Sequence, residues 1–315
     1  MKKPIVVLTG PTAVGKTELS IQLAKVIGGE IISADSMQVY KHMDVGSAKI
    51  TPEEMDGVRH YLVDELEPFD EFHVVKFQEY AQKYLNEIYA HEKIPIIAGG
   101  TGFYIQALLN DIDFTEQESD SAYRKELEAL AEEHGNQYLH DRLKEVDPES
   151  AEVIHPNNRK RVIRALEFFQ ETGGKISEHN AKEQMRTSPY NFAYFVLNDE
   201  RSHLYKRIDA RVDKMIEDGL EAEVRRLKEM GCTKDMVAMQ GIGYKEMLSY
   251  LDGGYSLEEA VYIIKRETRH FAKRQITWFK RERDVIWLNK NEFDYKNEAI
   301  LAYMIKILKE KAIIS

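Results

Sequence analysis

The chain has 315 residues, 43% of them apolar, which is enough to bury the core of one large domain or two. Its single cysteine, Cys232, excludes an intrachain disulfide framework and a Cys-rich zinc site and fits a reducing cytosol. A net charge of −10 argues at first sight against a nucleic-acid partner, and no apolar run approaches the roughly 20 residues of a membrane span.

The first predicted element is a strand over 4–9, with Ile5, Val6, Val7 and Leu8 as its apolar run. MKKPIVVLTGPT therefore reads as a strand entering a loop and not as a cleavable leader, and a cytoplasmic protein with no membrane role is expected. Directly after the strand comes GPTAVGKT, comprising Gly10, Pro11, Thr12, Ala13, Val14, Gly15, Lys16 and Thr17, with the full Walker A spacing. Glycines at these positions let successive backbone N–H groups turn toward one polyphosphate, and a helix over 16–27 adds the positive end of its dipole. Lys16 supplies a charge, and Thr17 is the candidate ligand for Mg²⁺, the one cofactor expected.

A strand over 30–34 delivers Asp35 at the head of DSMQVY, beside the phosphate site. A carboxylate there can act as a base or a magnesium ligand, although a turn or cap role is an equally ordinary use of aspartate. Gln38 carries an amide able to pair bidentately with an adenine edge. A helix over 74–91 and a strand over 94–98 lead to GGTGFY at 99–104, where many phosphate-loop enzymes place an acid. Here the polar residue is the neutral Thr101, which weakens an ATPase or motor reading. Alternating strands and helices predict a parallel sheet, with the three loops converging at its carboxyl edge.

From about 115 to 189 the pattern turns helical and highly charged, broken by Asp147-Pro148, His155-Pro156 and Gly173-Gly174. A strand over 192–197 marks a return to the sheet. Helices follow over 202–230, 243–251 and 257–283, then an edge strand at 285–288 and a last helix from about 296. In the first of these, Leu204, Ile208, Met215, Leu220, Val224 and Leu227 read as core, while Arg207 and Arg211, one turn apart, are either a solvated pair or a diphosphate clamp. The predicted fold is α/β, a P-loop NTPase-like parallel sheet flanked by helices with an inserted all-helical subdomain. Its domains are 1–114 with 190–292 as catalytic core, 115–189 as insertion and 293–315 as C-terminal helix.

Positive charge is concentrated. Residues 159–164 hold Arg159, Lys160, Arg161 and Arg164 without an acid, and residues 265–283 hold eight Lys or Arg against Glu267 and Glu282. At 100° per residue, Arg266, Arg269, Lys273 and Lys280 fall on one arc of a helix, with Ile264, Phe271 and Trp278 opposite. That stripe, about 21 Å long at the usual helical rise, can follow several phosphates. The ten histidines show no metal-binding spacing.

These residues together resemble the tRNA dimethylallyltransferases, also called tRNA isopentenyltransferases. The likeness is carried by GPTAVGKT at 10, ISADSMQVY at 32, GGTGFYI at 99, DPESAEVIHPNNRKRVIRALE at 147, RIDARVDKMIEDGLEAEV at 207, GIGYKEM at 241 and TRHFAKRQITWFK at 268. Asn158 departs from the family's commoner HPND. The resemblance implies that the phosphate loop holds dimethylallyl diphosphate and that the prenyl group passes to N6 of adenosine 37 in tRNAs reading U-initial codons. Asp35 would be the general base, and Thr101 and Arg211 would contact the diphosphate of the transferred group. Asp35, Ser36, Met37, Gln38 and Thr101 would line the pocket for the base. Further tRNA contacts would come from Arg124, from Lys160, Arg161, Val162, Ile163 and Arg164, from Gly241, Ile242, Gly243, Tyr244 and Lys245, and from Arg269, Lys273, Arg274, Gln275 and Trp278. A monomer is expected. The competing readings are a small-molecule or nucleoside kinase, whose Asp35 would deprotonate a hydroxyl, and a non-catalytic RNA-binding protein that keeps the loop only structurally.

Overall fold

The computed structural model describes residues 2–112 and 122–314. Its elements are β1 (Pro4–Thr9), α1 (Lys16–Ile27), β2 (Gly29–Ala34), α2 (Pro52–Met55), β3 (His60–Tyr61), α3 (Val74–Ala90), β4 (Ile94–Gly99) and α4 (Gly102–Leu109). Five helices follow, α5 (Ala122–His134), α6 (Asn136–Val146), α7 (Pro148–Val153), α8 (Arg159–Thr172) and α9 (Ile176–Met185). The chain closes with β5 (Asn191–Asn198), α10 (Arg201–Glu217), α11 (Leu220–Glu229), α12 (Tyr244–Leu251), α13 (Leu257–Phe279), β6 (Val285–Asn289) and α14 (Asn297–Glu310).

The strands form one all-parallel sheet in the order β3-β2-β4-β1-β5-β6, the P-loop NTPase-like arrangement expected. β1 is buried on both faces, so its residues alternate between two cores: Ile5 and Val7 pack with α3 and α4, Val6 and Leu8 with α1 and α14. Register sets the level of the loops. Thr9 and Ala34 both pair with Gly99, so the chain leaves β1, β2 and β4 at one height, at the carboxyl edge where parallel sheets bind ligands.

Two compact units are present, Met1–Leu109 with Pro189–Ser315, and Asn110–Ser188. The expected boundary at 114/115 lies outside the described residues. The helical unit has its own core, in which Leu127, Leu139, Leu143, Val162, Ile163 and Leu166 are buried. Two expectations need correction. The helix anticipated over 202–230 is two helices, because Gly219 adopts φ 96°, which ends the first turn pattern and starts a second. α14 is not a separate C-terminal piece, since Ile300, Met304 and Leu308 share a core with Leu19 and Leu23 of α1. One strand carries no sequence signal at all: β3, whose two residues are too few to show an alternation.

Candidate functional site

Gly15, at φ 100°, caps α1 in a left-handed conformation that brings the loop back over the helix N-terminus. Lys16 lies across this loop and donates to the carbonyls of Gly10 at 3.0 Å and Pro11 at 2.9 Å. Burial lowers its pKa from 10.5 to about 8, and the neighbouring Arg211 guanidinium pushes the same way against the opposing charge of Asp35. Thr17 is exposed in the first turn of α1. Arg207 donates Nε–H to the Ala13 carbonyl at 2.7 Å, and Arg211 stands one turn further along α10. Burial lowers the pKa of Arg211, with Asp35 working against the shift.

Asp35 leaves β2 in a turn, its Oδ1 accepting from the backbone N–H of Met37 at 2.8 Å and of Gln38 at 3.4 Å. The turn role and the position beside the phosphate loop therefore coexist in one side chain. Thr101 caps α4 through its carbonyl, which accepts from the Tyr104 N–H, while its own N–H donates to the Ala34 carbonyl. Gln275 of α13 joins the loops. Its Oε1 accepts from the Thr12 N–H at 2.8 Å and its Nε2 donates to the Gly100 carbonyl at 2.9 Å.

Two cavities meet here. The first, about 380 Å³, is lined by the phosphate loop with Lys16, Thr17, Arg207 and Arg211. The second, about 440 Å³, is lined by Ser36, Met37, Thr101, Tyr104, Ile242 and Met215 among others. Both volumes fall in the usual range for small-molecule sites. Thr12, Asp35, Gly100, Arg211, Phe271 and Gln275 line both, so the carboxylate and the guanidinium stand where the cavities join. Among the described residues no cluster of three His, Cys, Asp or Glu is placed to hold a metal.

The remaining candidates divide. Ser36, Met37, Thr101, Gly241, Ile242, Lys245, Arg274 and Gln275 line the second cavity. Gln38 instead lines the first, and its Nε2 donates to the Ala48 carbonyl. Lys273, Arg274 and Trp278 line a groove on α13 with His270, Thr277 and Arg281. Several residues are committed elsewhere. Val162 and Ile163 are buried in the helical unit and Tyr244 is fully buried in the sheet unit, so none offers its side chain to RNA. Gly243 presents its N–H to Glu246 at 2.8 Å. Arg124 holds Glu167 through Nε and Nη2, and Arg269 is paired with Asp209. The basic arc is thus partly neutralised, since Arg266 also pairs with Glu267, leaving Lys273 and Lys280 exposed. Opposite the arc, Phe271 and Trp278 are half-buried cavity and groove walls, while Ile264 is buried in the core and also lines the second cavity. Sequence reasoning missed the loop-joining role of Gln275 and the apolar walls Phe72, Tyr104 and Met215, for which helical spacing gives no signal beyond core.

The family model described as IPP transferase matches residues 38–282. The chain belongs to the IPP transferase family. It is 64% identical over 313 residues to a tRNA dimethylallyltransferase of Lachnoclostridium phytofermentans, covering 99% of both chains. A tRNA dimethylallyltransferase of Acetivibrio thermocellus is 52% identical over 296 residues, covering 94% of this chain and 95% of that one. The crystal structure of the full-length tRNA isopentenylpyrophosphate transferase of Bacillus halodurans superimposes with a TM-score of 0.74 at 45% identity, covering 99% and 98%. A eukaryotic dimethylallyltransferase described as acting on tRNA gives 0.79 at 31% identity, covering 91% of this chain and 74% of that one.

Proposed function

We propose that this protein is a tRNA dimethylallyltransferase, moving the dimethylallyl group of dimethylallyl diphosphate to N6 of adenosine 37 in tRNAs that read U-initial codons. The observation that carries the reading is the junction of the two cavities at Asp35 and Arg211. A diphosphate seated on the loop amides beside Lys16, Arg207 and Arg211 places its esterified oxygen toward this junction, and a base in the second cavity approaches from the other side. The N6 lone pair then forms a bond to C1 of the prenyl group as the C1–O bond breaks, and that electron pair leaves on the diphosphate. The loop amides and cations stabilise the growing charge of the leaving group. Asp35 takes the N6 proton, which becomes acidic only as the new bond forms, so a carboxylate of ordinary strength suffices. Reaching N6 requires the base to leave its stack, and the apolar walls Met37, Tyr104 and Phe271 suit a flipped base with its prenyl group.

Mg²⁺ fits the donor set as a partner of the substrate: the Thr17 hydroxyl is open to the first cavity and Asp35 is the sole carboxylate among its lining residues, so substrate oxygens and waters would complete the shell. Bound there, it would neutralise diphosphate charge. Lys273 and Arg274 on α13, Arg281 just beyond its end, and Lys160, Arg161 and Arg164 on α8, are the basic side chains proposed to meet tRNA phosphates, in a cytoplasmic and monomeric enzyme.

Labelled dimethylallyl diphosphate incubated with a tRNA carrying A36-A37-A38 tests the proposal. Label is expected at A37, and is expected to vanish when A37 is replaced by G. ATP consumption without tRNA would instead support a kinase, and tRNA binding indifferent to dimethylallyl diphosphate a non-catalytic module.

A further inference from the structure

Glu223 of α11 is 1% exposed, a position where a carboxylate is tolerated only if its lone pairs are filled. Four donors fill them. The backbone N–H groups of Asp44 and Val45 each donate to Oε2 at 2.8 Å, that of Gly46 donates to Oε1 at 3.0 Å, and the Tyr244 hydroxyl donates to Oε1 at 2.8 Å. Three successive amides turned toward one anion form the kind of nest that binds phosphate, and here the anion is a side chain of the protein itself. The Tyr244 ring closes the arrangement, since a Cβ at Gly46 would sit 2.5 Å from its Cζ.

The two segments that Glu223 ties together both line the second cavity, Gly46 and Ser47 from one side and Gly241, Ile242 and Lys245 from the other. Glu223 itself lines neither cavity. We infer that Glu223 is a positioning residue that fixes the spacing of these two walls and so the seating of the tRNA base, an inference that rests on reading the second cavity as the base site. The far side of the 44–47 loop has its own anchor: Lys49 donates to the Tyr40 carbonyl and to the carboxylates of Asp44 and Asp64. Loss of the Glu223 clamp therefore loosens one rim of the cavity without releasing the loop.

Glu223→Gln is a graded perturbation. With its oxygen on the Asp44 and Val45 amides, the glutamine Nε2 can donate to the Tyr244 oxygen but faces the Gly46 N–H donor to donor. Tyr244→Phe removes one hydrogen bond from the clamp and keeps the ring against Gly46. In steady-state transfer assays at 25 °C, Glu223→Gln is expected to lower kcat/KM for tRNA about ten- to a hundred-fold, the scale of a base misplaced by about 1 Å. Tyr244→Phe is expected to shift it the same way by a smaller factor, and the affinity of both for dimethylallyl diphosphate, measured by calorimetry without tRNA, should stay near the wild-type value. A lowered thermal midpoint with unchanged tRNA KM and kcat in both variants would reduce the clamp to a structural role and overturn the inference; so would an equal loss of dimethylallyl diphosphate affinity. If Glu223→Gln does not fold, Tyr244→Phe alone decides between these outcomes. Wild-type protein that fails to prenylate tRNA overturns the base-site reading itself, a result separate from any behaviour of the variants.

Discussion

Lys16 offers the sharpest quantitative test of the phosphate site. Burial and Arg211 hold its pKa at about 8 instead of 10.5. That difference corresponds to about 3 kcal/mol of destabilisation of the ammonium. A diphosphate beside the nitrogen supplies negative charge that outweighs the burial and the Arg211 repulsion, so the bound lysine stays protonated well above pH 8. Only the charged form binds well. Affinity for dimethylallyl diphosphate without tRNA should therefore be flat below pH 8 and weaken above it, by about thirty-fold between pH 7 and 9.5, with one proton taken up per ligand bound at the upper end. The stability of the free protein runs the other way. Because the folded value lies below the unfolded one, the penalty is fully present below about pH 8 and is relieved as pH rises toward 10.5. Isothermal titration calorimetry in buffers of differing ionisation enthalpy reads both affinity and proton uptake. Lys16→Arg is the control, since its guanidinium keeps its charge across this range and the ligand's own titration is common to both proteins. Parallel affinity profiles for wild type and Lys16→Arg would refute the reasoning, because the lysine would then not be titrating against the ligand.

Asp35→Asn keeps an oxygen to accept from Met37 and Gln38 and removes only the basic charge, so kcat is expected to fall by about 10²–10⁴ with little change in melting temperature or dimethylallyl diphosphate affinity. A kcat within a few-fold of wild type would remove Asp35 from the proton-transfer role. Gln275→Leu leaves the Thr12 N–H and the Gly100 carbonyl without their partner, and about 1–3 kcal/mol of stability should be lost for each group left unsatisfied, together with diphosphate affinity. Chemical denaturation and calorimetry would read the two losses; unchanged affinity would show that the Thr12 amide does not need this brace. Gly102→Ala places a methyl group 2.3 Å from Cδ1 of Trp278, so the indole must move, at a cost of about 1–3 kcal/mol. Tryptophan fluorescence reports that movement, and an unshifted spectrum would contradict it.

Most of the sheet was legible because β1, β2 and β4 are short, continuous apolar runs, each delivering a glycine or an acid to the same edge; β1, α1, β4 and their loops lie where the pattern puts them. The break at Gly219 was not, because Leu220, Val224 and Leu227 continue a helical spacing on its far side and so conceal the interruption. Long-range pairing was equally hidden. Arg124 meets Glu167 across 43 residues and Arg269 meets Asp209 across 60, so the charge that each stretch seems to offer a polyanion is already answered within the fold. Glu223 reads in the sequence as one more exposed helix acid. Its burial follows from three backbone amides more than 170 residues earlier in the chain, which no local pattern could announce.

The charges around the phosphate loop bear on why Thr101 stands where other phosphate-loop proteins carry an acid. Lys16, Arg207 and Arg211 line the first cavity against one carboxylate, Asp35, leaving the site net positive until an anion arrives. A second acid at the end of β4 would cancel that excess, help to hold a divalent cation and orient a water toward phosphorus, which is what phosphoryl transfer requires. Cleavage on the carbon side of the bridging oxygen has other needs. The phosphorus must be left alone while its oxygens gather charge, so cations and amides belong on the diphosphate and the only base belongs where the amine enters. Asp35 meets that condition by geometry: it lines both cavities, whereas Lys16 and Thr17 line the first alone. The neutral Thr101 lines the second cavity and not the first, so no second acid stands among the cations of the phosphate loop.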